Sequence, residues 1–189
     1  MDTPRTIFFI GKPGCGKGTQ AKMLAEKTGW QVITAGAQFR AIENEDTPLG
    51  RKVKSEIDAG ILAPHWFASY LYLKSFFSLQ SGADVIFDGF NRKLPEAEIV
   101  MDSLRWLDRP LTVIHIQVSD ESVRTRLILR KDIENRADDS AVDERLKEYH
   151  EYTEPVLELF RSAGVLIEVD GEPKPEEITV AINKALGLS

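Results

Sequence analysis

Little in this chain favours a disulfide framework, a cysteine-bound metal, a membrane or a nucleic acid. Of 189 residues only Cys15 is a cysteine, so neither an intrachain disulfide nor a cysteine zinc cluster can form. The start, Met1-Asp2-Thr3-Pro4, leads into an apolar run, Ile7-Phe8-Phe9-Ile10, that is far too short for a signal h-region or a membrane span. A cytoplasmic location is therefore the default expectation. Excess basic charge is missing too: 24 Lys and Arg stand against 30 Asp and Glu, a formal charge of −6, which argues against a nucleic-acid partner. Any phosphate must then be met by local arginines rather than by a basic surface. Internal repeats, long linkers and low-complexity runs are absent as well, and the length suits one domain, 1–189, with a sizeable core.

What the chain does have is Gly11-Lys12-Pro13-Gly14-Cys15-Gly16-Lys17-Gly18-Thr19-Gln20, set between that apolar run and a helix-compatible stretch. A strand, a glycine-rich loop and a helix start form the context in which a G-x-x-x-x-G-K motif holds phosphate. The glycines let several backbone N–H groups converge on one point, where the helix N-terminus adds partial positive charge. Lys17 supplies a mobile full charge for the β and γ phosphates. A plain tight turn would need one or two glycines and no lysine.

Apolar strand candidates recur at 6–10, 31–34, 84–87, 111–118 and 165–169, separated by helical patterns at 17–27, 64–79, 95–107, 121–131, 141–163 and 175–186. This alternation implies an α/β fold, a parallel sheet covered by helices on both sides, with the active site beyond the carboxyl ends of the strands. Asp120 and Asp139 or Ser140 read as helix caps, and Gly29, Gly60 and Gly164 as helix stops. Two stretches stand outside the alternation. Residues 34–77 run helically with no strand, like an inserted subdomain, and the charged segment 131–140 reads as a cover over the phosphate loop. Both are candidate moving parts.

Asp88-Gly89 closes the third apolar strand on the sheet edge that carries the phosphate loop. A carboxylate there can hold Mg²⁺ through water, although an Asx-Gly turn alone would also explain the pair. Gly18 stands directly after the lysine, where many phosphate loops place a hydroxyl, and Thr19 follows. Arg126 and Arg130 share a face of one predicted helix, with Arg145 on the next and Arg136 between them. Guanidinium forks suit the equatorial oxygens of a migrating phosphoryl group. Asp132, Glu134 and Asp143 offer these arginines purely structural partners, but beside a phosphate loop the set favours function.

Over essentially its whole length the chain resembles the nucleoside monophosphate kinases of the adenylate kinase family. The loop at 11–20 resembles the family's phosphate loop, in which Gly after Lys is normal. Asp88-Gly89-Phe90-Asn91-Arg92 resembles its D-G-F-P-R signature, Thr34-Ala35-Gly36-Ala37-Gln38-Phe39-Arg40 its S-T-G-D-x-x-R segment, and Glu148-Tyr149-His150-Glu151-Tyr152-Thr153-Glu154-Pro155 the helix after its lid. The resemblance implies a P-loop NTPase-type three-layer sandwich with a five-stranded parallel core. It also implies a monophosphate-binding insertion at 34–77, a short lid at 131–140 of the kind without a zinc site, and a monomer. It implies that Gly14, Cys15, Gly16, Lys17, Gly18 and Thr19 bind the ATP phosphates, with Asp88 holding Mg²⁺ through water. Arg126 would lie against the ATP base near the backbone of Gly171 and Pro173. Ala35, Gly36, Arg40, Ala63, Gly89, Arg92 and Glu96 would line the monophosphate site, with Arg40 and Arg92 as its clamp. Arg130, Arg136 and Arg145, with Lys17 and Arg92, would surround the transferred phosphoryl.

The implied reaction is reversible transfer of the γ-phosphoryl of MgATP to a nucleoside monophosphate, AMP on family frequency, with GMP or a pyrimidine or deoxynucleoside monophosphate as alternatives. A nucleotide-binding protein without turnover, or a kinase of a small metabolite, is a further alternative. The departures from the pattern bear on the acceptor. Asn91 replaces the signature proline and is expected to loosen a fixed backbone angle. Alanines at 35, 37 and 63 are expected to leave room around the base, and Glu96 stands where a glutamine reads adenine. An ionised glutamate only accepts hydrogen bonds, which suits the two donors of guanine. His65 reads as a helix-start surface residue and Trp66 as packing. Cys15, at a helix start that can lower a thiol pKa, is expected to react with a bulky thiol reagent, with MgATP protecting.

Overall fold

Strand β1 (Thr6–Ile10) is buried along its whole length, as a strand apolar on both faces must be. It lies in the middle of a five-stranded parallel sheet of order β2-β3-β1-β4-β5, with β2 at Gln31–Thr34, β3 at Val85–Asp88, β4 at Leu111–Gln117 and β5 at Leu166–Asp170. The structure, a computed structural model, describes residues 5–134 and 141–188, and for 130–134 the backbone path alone. Parallel neighbours need crossover connections, supplied by α1 (Lys17–Thr28), α2 (Ala35–Glu43), α3 (Pro48–Asp58), α4 (His65–Phe77), α5 (Leu94–Trp106), α6 (Asp120–Glu134), α7 (Val142–Glu148) and α8 (Glu154–Ser162). Helix α9 (Pro175–Ala185) follows β5.

Alternate side chains of each strand feed two separate cores. On one face Phe8, Ile10, Phe87 and Val113 meet Tyr72 and Phe76 of α4, Val100 and Leu104 of α5, and Phe160 of α8. On the other, Ile7, Phe9, Ile86, Ile114 and Ile116 meet Leu24 of α1, Val123 and Leu127 of α6, and Ile178 and Ile182 of α9. The result is the expected three-layer sandwich. Burial of each large apolar side chain contributes about 1.5–3 kcal/mol. Tyr72 joins the first core because its hydroxyl meets Ser103 Oγ at 3.0 Å, which offsets the cost of burying it.

The strand ends fall within a residue of those expected, and residues 35–77 are helical as read. Gly60 and Gly164 lie just past α3 and α8, and Gly29 caps α1 in a left-handed conformation. Of the expected lid, 131–134 prolong α6, while 135–140, including the cap candidates Asp139 and Ser140, lie outside the described residues. Two expectations are corrected. The cap of α6 is Ser119, whose hydroxyl accepts from Ser122 N–H at 3.1 Å, whereas the carboxylate of Asp120 turns to Lys12 at 2.5 Å. The stretch 141–163 is not one regular α-helix: a π turn at Tyr149–Thr153 joins α7 to α8. Pro155 explains the break, since it has no N–H for the carbonyl four residues back and its ring crowds that carbonyl.

Candidate active site

The carboxyl ends of β1, β2 and β3 open into a cleft of roughly 910 Å³, where a doubly wound sheet is expected to bind its ligand. Its floor is the phosphate loop. Gly16 (φ 101°) takes the left-handed conformation that starts α1 without a side-chain cap, so N–H groups at the helix start are left for an anion. A Cβ on Gly11 would lie 2.7 Å from the Ile116 carbonyl oxygen and 2.9 Å from Cys15 Sγ, so only glycine lets the loop rest this low on β4. Lys17 Nζ donates to the carbonyls of Gly11 and Lys12, each at 2.8 Å.

Gly14, Gly16, Lys17, Gly18 and Thr19 line the cleft, but Cys15 does not. Its thiol is 0% exposed, packed in the core with Phe9 and Leu24, and its N–H bonds the Lys12 carbonyl at 3.3 Å. The expectation of a reagent-accessible thiol is therefore corrected: the loop turns this side chain under itself. Asp88 lies at the end of β3 with its carboxylate 3.4 Å from where a Cβ on Gly18 would sit. The glycine after the lysine thus sits directly against this carboxylate.

Just past the ends of β2 and β3, Arg40 folds over Gly36, its Nη1 3.0 Å from where a Cβ there would sit, and Arg92 folds over Gly89, with Nε donating to the Gly89 carbonyl at 2.8 Å. Ala35, Gly36, Arg40, Ala63, Gly89, Arg92 and Glu96 all line the cleft. Ala37 does not: it is exposed, and its N–H meets the Thr34 hydroxyl that caps α2, so it leaves no extra room for a base. Trp66 is not packing either, being 63% exposed on α4 and touching only the ring of Phe67 among the described aromatics. His65 is exposed at the helix start, as read.

Asn91 departs from expectation in kind. Its φ of 62° is a left-handed conformation that asparagine tolerates and proline cannot adopt. The substitution therefore redirects the backbone rather than loosening it. Glu96 is 5% exposed at the start of α5, and Oε2 accepts from Arg92 N–H at 2.9 Å. Burial pushes its pKa up, while the N–H groups and charges of Arg92 and Lys93 pull it back. Glu96 is thus first a clamp on the backbone of Arg92.

Arg126 reaches across to β5, where Nη2 donates to the Gly171 carbonyl at 2.8 Å. Arg126 lines the cleft, whereas Gly171 and Pro173 stand beside it outside the lining. Arg145 lines the cleft from α7. Arg130 sits on α6 with its side chain outside the described part, and Arg136 lies outside the described residues. Among the described residues no group of three or more His, Cys, Asp or Glu is set to hold a metal ion, and no helix is long and apolar enough to cross a membrane.

Sequence reading missed the residues that tie these parts together. Lys12 Nζ meets Asp120 Oδ1 at 2.5 Å and the Val118 carbonyl at 3.0 Å. His150 bridges Asp120 at 3.2 Å and Glu154 at 2.8 Å. Glu148 accepts from Leu62 N–H at 2.9 Å, Lys93 donates to the Ala63 carbonyl at 3.1 Å, and Thr153 donates to the Arg92 carbonyl at 3.0 Å. All but the Glu154 contact span 30 or more positions, so no local pattern announces them.

A phosphate loop, a carboxylate at the neighbouring strand end and cleft-lining cations that include Lys17, Arg40, Arg92, Arg126 and Arg145 define a phosphotransferase that binds ATP. A profile of the family described as Adenylate kinase matches residues 9–165. The chain is 36% identical over 191 residues to the adenylate kinase of Thermus thermophilus, covering all of both chains. It is 34% identical to that of Maricaulis maris over 185 residues, covering 95% of this chain and 97% of the other. It is 32% identical to that of Prochlorococcus marinus over 185 residues, covering 96% and 97%. The chain belongs to the adenylate kinase family and is a nucleoside monophosphate kinase.

Proposed function

We propose that the enzyme, as a cytoplasmic monomer, transfers the γ-phosphoryl of MgATP to AMP reversibly, ATP + AMP = 2 ADP. Lys17 and the amides of Gly14, Gly16, Gly18 and Thr19 hold the donor phosphates, and Arg126 lies against the donor base beside the backbone of Gly171 and Pro173. Arg40 and Arg92 clamp the acceptor phosphate. Lys17 and Arg92, with Arg145 and the arginines at 130 and 136, offset the charge that builds on the migrating group. Positioning and charge stabilisation then account for most of the acceleration, since phosphoryl transfer needs little covalent help. Asp88, at the end of β3 against Gly18, suits a Mg²⁺ ion held through water. Bound there with ATP, the ion neutralises phosphate charge.

The observation that carries AMP over GMP is the hydrogen bond from Arg92 N–H to Glu96 Oε2. With Oε2 already accepting from the backbone, Oε1 is the oxygen freest to meet a base edge. One acceptor serves the exocyclic amine of adenine but not the paired N1–H and N2–H₂ of guanine. The relatives named adenylate kinases point the same way.

An initial-rate panel of AMP, GMP, CMP, UMP and dAMP tests the reading. AMP should lead GMP by roughly 5- to 150-fold in kcat/KM, the worth of about 1–3 kcal/mol for a mispaired buried polar group. Glu96→Gln should keep AMP in front, because its amide oxygen can still take the Arg92 N–H. A wild type that prefers GMP, or a Glu96→Gln enzyme that gains AMP activity at the expense of GMP, would show the carboxylate reading guanine.

A further inference from the structure

The central strands are apolar, with one ionisable exception that the reaction described above does not use. His115 lies on β4 with Ile10 of β1 and Glu168 of β5 as its register neighbours, so the three side chains leave one face of the sheet. It is 7% exposed, and an ionisable group is rarely buried in a strand unless it is paired. Its Nε2 lies 3.1 Å from the phenol oxygen of Tyr149. Its Nδ1 has Glu168 Oε1 at 3.5 Å and no closer partner. Glu168 is fixed in turn by Arg161 Nη2 at 3.0 Å and Gln117 Nε2 at 2.9 Å.

The direction of the Nε2–phenol hydrogen bond follows from charge. Burial pushes His115 down, opposed by Glu168 and assisted by the Lys17 and Arg161 cations. Burial also pushes the Tyr149 phenol up, with Glu154, Cys15, Asp120 and Glu168 adding to the rise. At neutral pH the imidazole is neutral and the phenol protonated. A neutral imidazole carries one N–H, and the carboxylate beside Nδ1 draws it there. Nε2 then accepts, and Tyr149 donates.

Tyr149 opens the π turn, and its backbone N–H closes the last turn of α7 on the carbonyl of Arg145. Fixing the phenol therefore fixes the rotation of α7 about its axis. That rotation sets the aim of Arg145, one turn earlier on the same face, and of Glu148, whose carboxylate holds Leu62 N–H. All three side chains line the cleft.

We propose that His115 is a positioning residue for phosphoryl transfer, holding Tyr149 and through it the helix that presents Arg145 to the transferred group. This rests on the kinase reading of the cleft. Protonation of His115 would reverse the bond: Nε2 becomes a donor and the phenol hydrogen must turn away. The groups facing the ring are Glu168 from β5, Arg161 from α8, Lys17 from the phosphate loop and Tyr149 from the π turn. Turnover should then fall on the acid side through the titration of His115.

Three single variants, one double variant and one spectrum test this. His115→Leu suits the apolar strand but offers no acceptor, His115→Gln offers an amide oxygen, and Tyr149→Phe removes the donor. His115→Leu and Tyr149→Phe should each lower kcat by about tenfold with both KM values within about threefold, since a misaimed group near the reacting centre costs rate more than binding. His115→Gln should recover to within about threefold of wild type, and the double variant should be no slower than either single one. The acid limb of wild-type kcat should vanish in His115→Leu. Nitrogen NMR of histidine-labelled protein should show the Nδ1–H tautomer at His115, whether or not the enzyme turns over. Wild-type kcat in Tyr149→Phe, His115→Gln as slow as His115→Leu, or an Nε2–H tautomer overturns the proposal. If His115→Leu fails to fold, Tyr149→Phe and its pH profile decide. A wild type that transfers no phosphoryl group sinks the kinase reading instead, and the tautomer then judges the hydrogen bond by itself.

Discussion

The two halves of the cleft are built differently. The phosphate loop is fastened before any nucleotide arrives: Cys15 is rooted in the core, Lys17 is bonded to two carbonyls of its own loop, and Lys12 is held by Asp120 and Val118. On the acceptor side the outer helices α2 and α3 have thin anchorage. Helix α2 buries only Ala35 and α3 only Gly50 and Val53, while Phe39 and Ile57 are partly buried. Segments with few buried apolar contacts open at low cost. On the proposed reading, the donor half therefore contributes preorganised dipoles, and the acceptor half draws on ligand binding energy to complete itself.

The comparison can be broken in four ways. Lys17→Ala should produce the largest effect, a fall in kcat of at least about 100-fold as a transition-state charge is lost. Circular dichroism should be unchanged, and turnover within a few-fold of wild type would mean the donor half lies elsewhere. Arg92→Lys should cost kcat/KM for the monophosphate about tenfold or more, nearly as much as Arg92→Ala, because a point charge cannot reproduce a guanidinium fork. ATP affinity should barely move. If both substrates weaken equally, the halves are not separable at this residue.

The sealed loop predicts that a bulky aromatic disulfide reagent leaves the native enzyme active and labels Cys15 only on unfolding. Rapid stoichiometric labelling of the folded protein would show the donor half to be loose. The smallest effect concerns His150, whose pKa is raised by its hydrogen bond to Glu154 and by Asp120, against partial burial. A group raised in the folded state stabilises fully below its unfolded value near about 6.5 and loses that contribution as pH rises through the folded value. His150→Gln should therefore lower Tm by about 1–2 °C near pH 6, in keeping with a partly exposed pair. The deficit should fade in alkaline buffer, and one that grows instead would contradict the linkage.

The sheet and the donor loop were legible because their information is contiguous. Parallel strands buried on both faces read as unbroken apolar runs, and ten successive residues carry the phosphate loop. The acceptor side was legible only through resemblance, since its lining comes from β2, α2, α3, α4, β3 and α5. Errors arose where two neighbours compete for one task, as Ser119 and Asp120 do for the α6 cap. They also arose where local identity hides direction, as with the buried Cys15, the outward Ala37 and the exposed Trp66. The π turn was hidden because Pro155 reads as an ordinary early helix residue until the chain before it proves helical as well. His115 looked like one more strand position, and only the fold brings Tyr149 and Glu168 to it.

The strand order carries a consequence for the newborn chain. β1 is made first yet ends up between β3 and β4, so both of its hydrogen-bonding edges wait for residues 85–88 and 111–117 to be made. At ribosomal speeds of about 5–20 residues per second that wait lasts roughly 5–20 s. Throughout it Thr6-Ile7-Phe8-Phe9-Ile10, uncharged, β-prone and free of proline, is the kind of segment that pairs with a stranger. The centre of the finished sheet is thus the stretch most in need of a chaperone during synthesis.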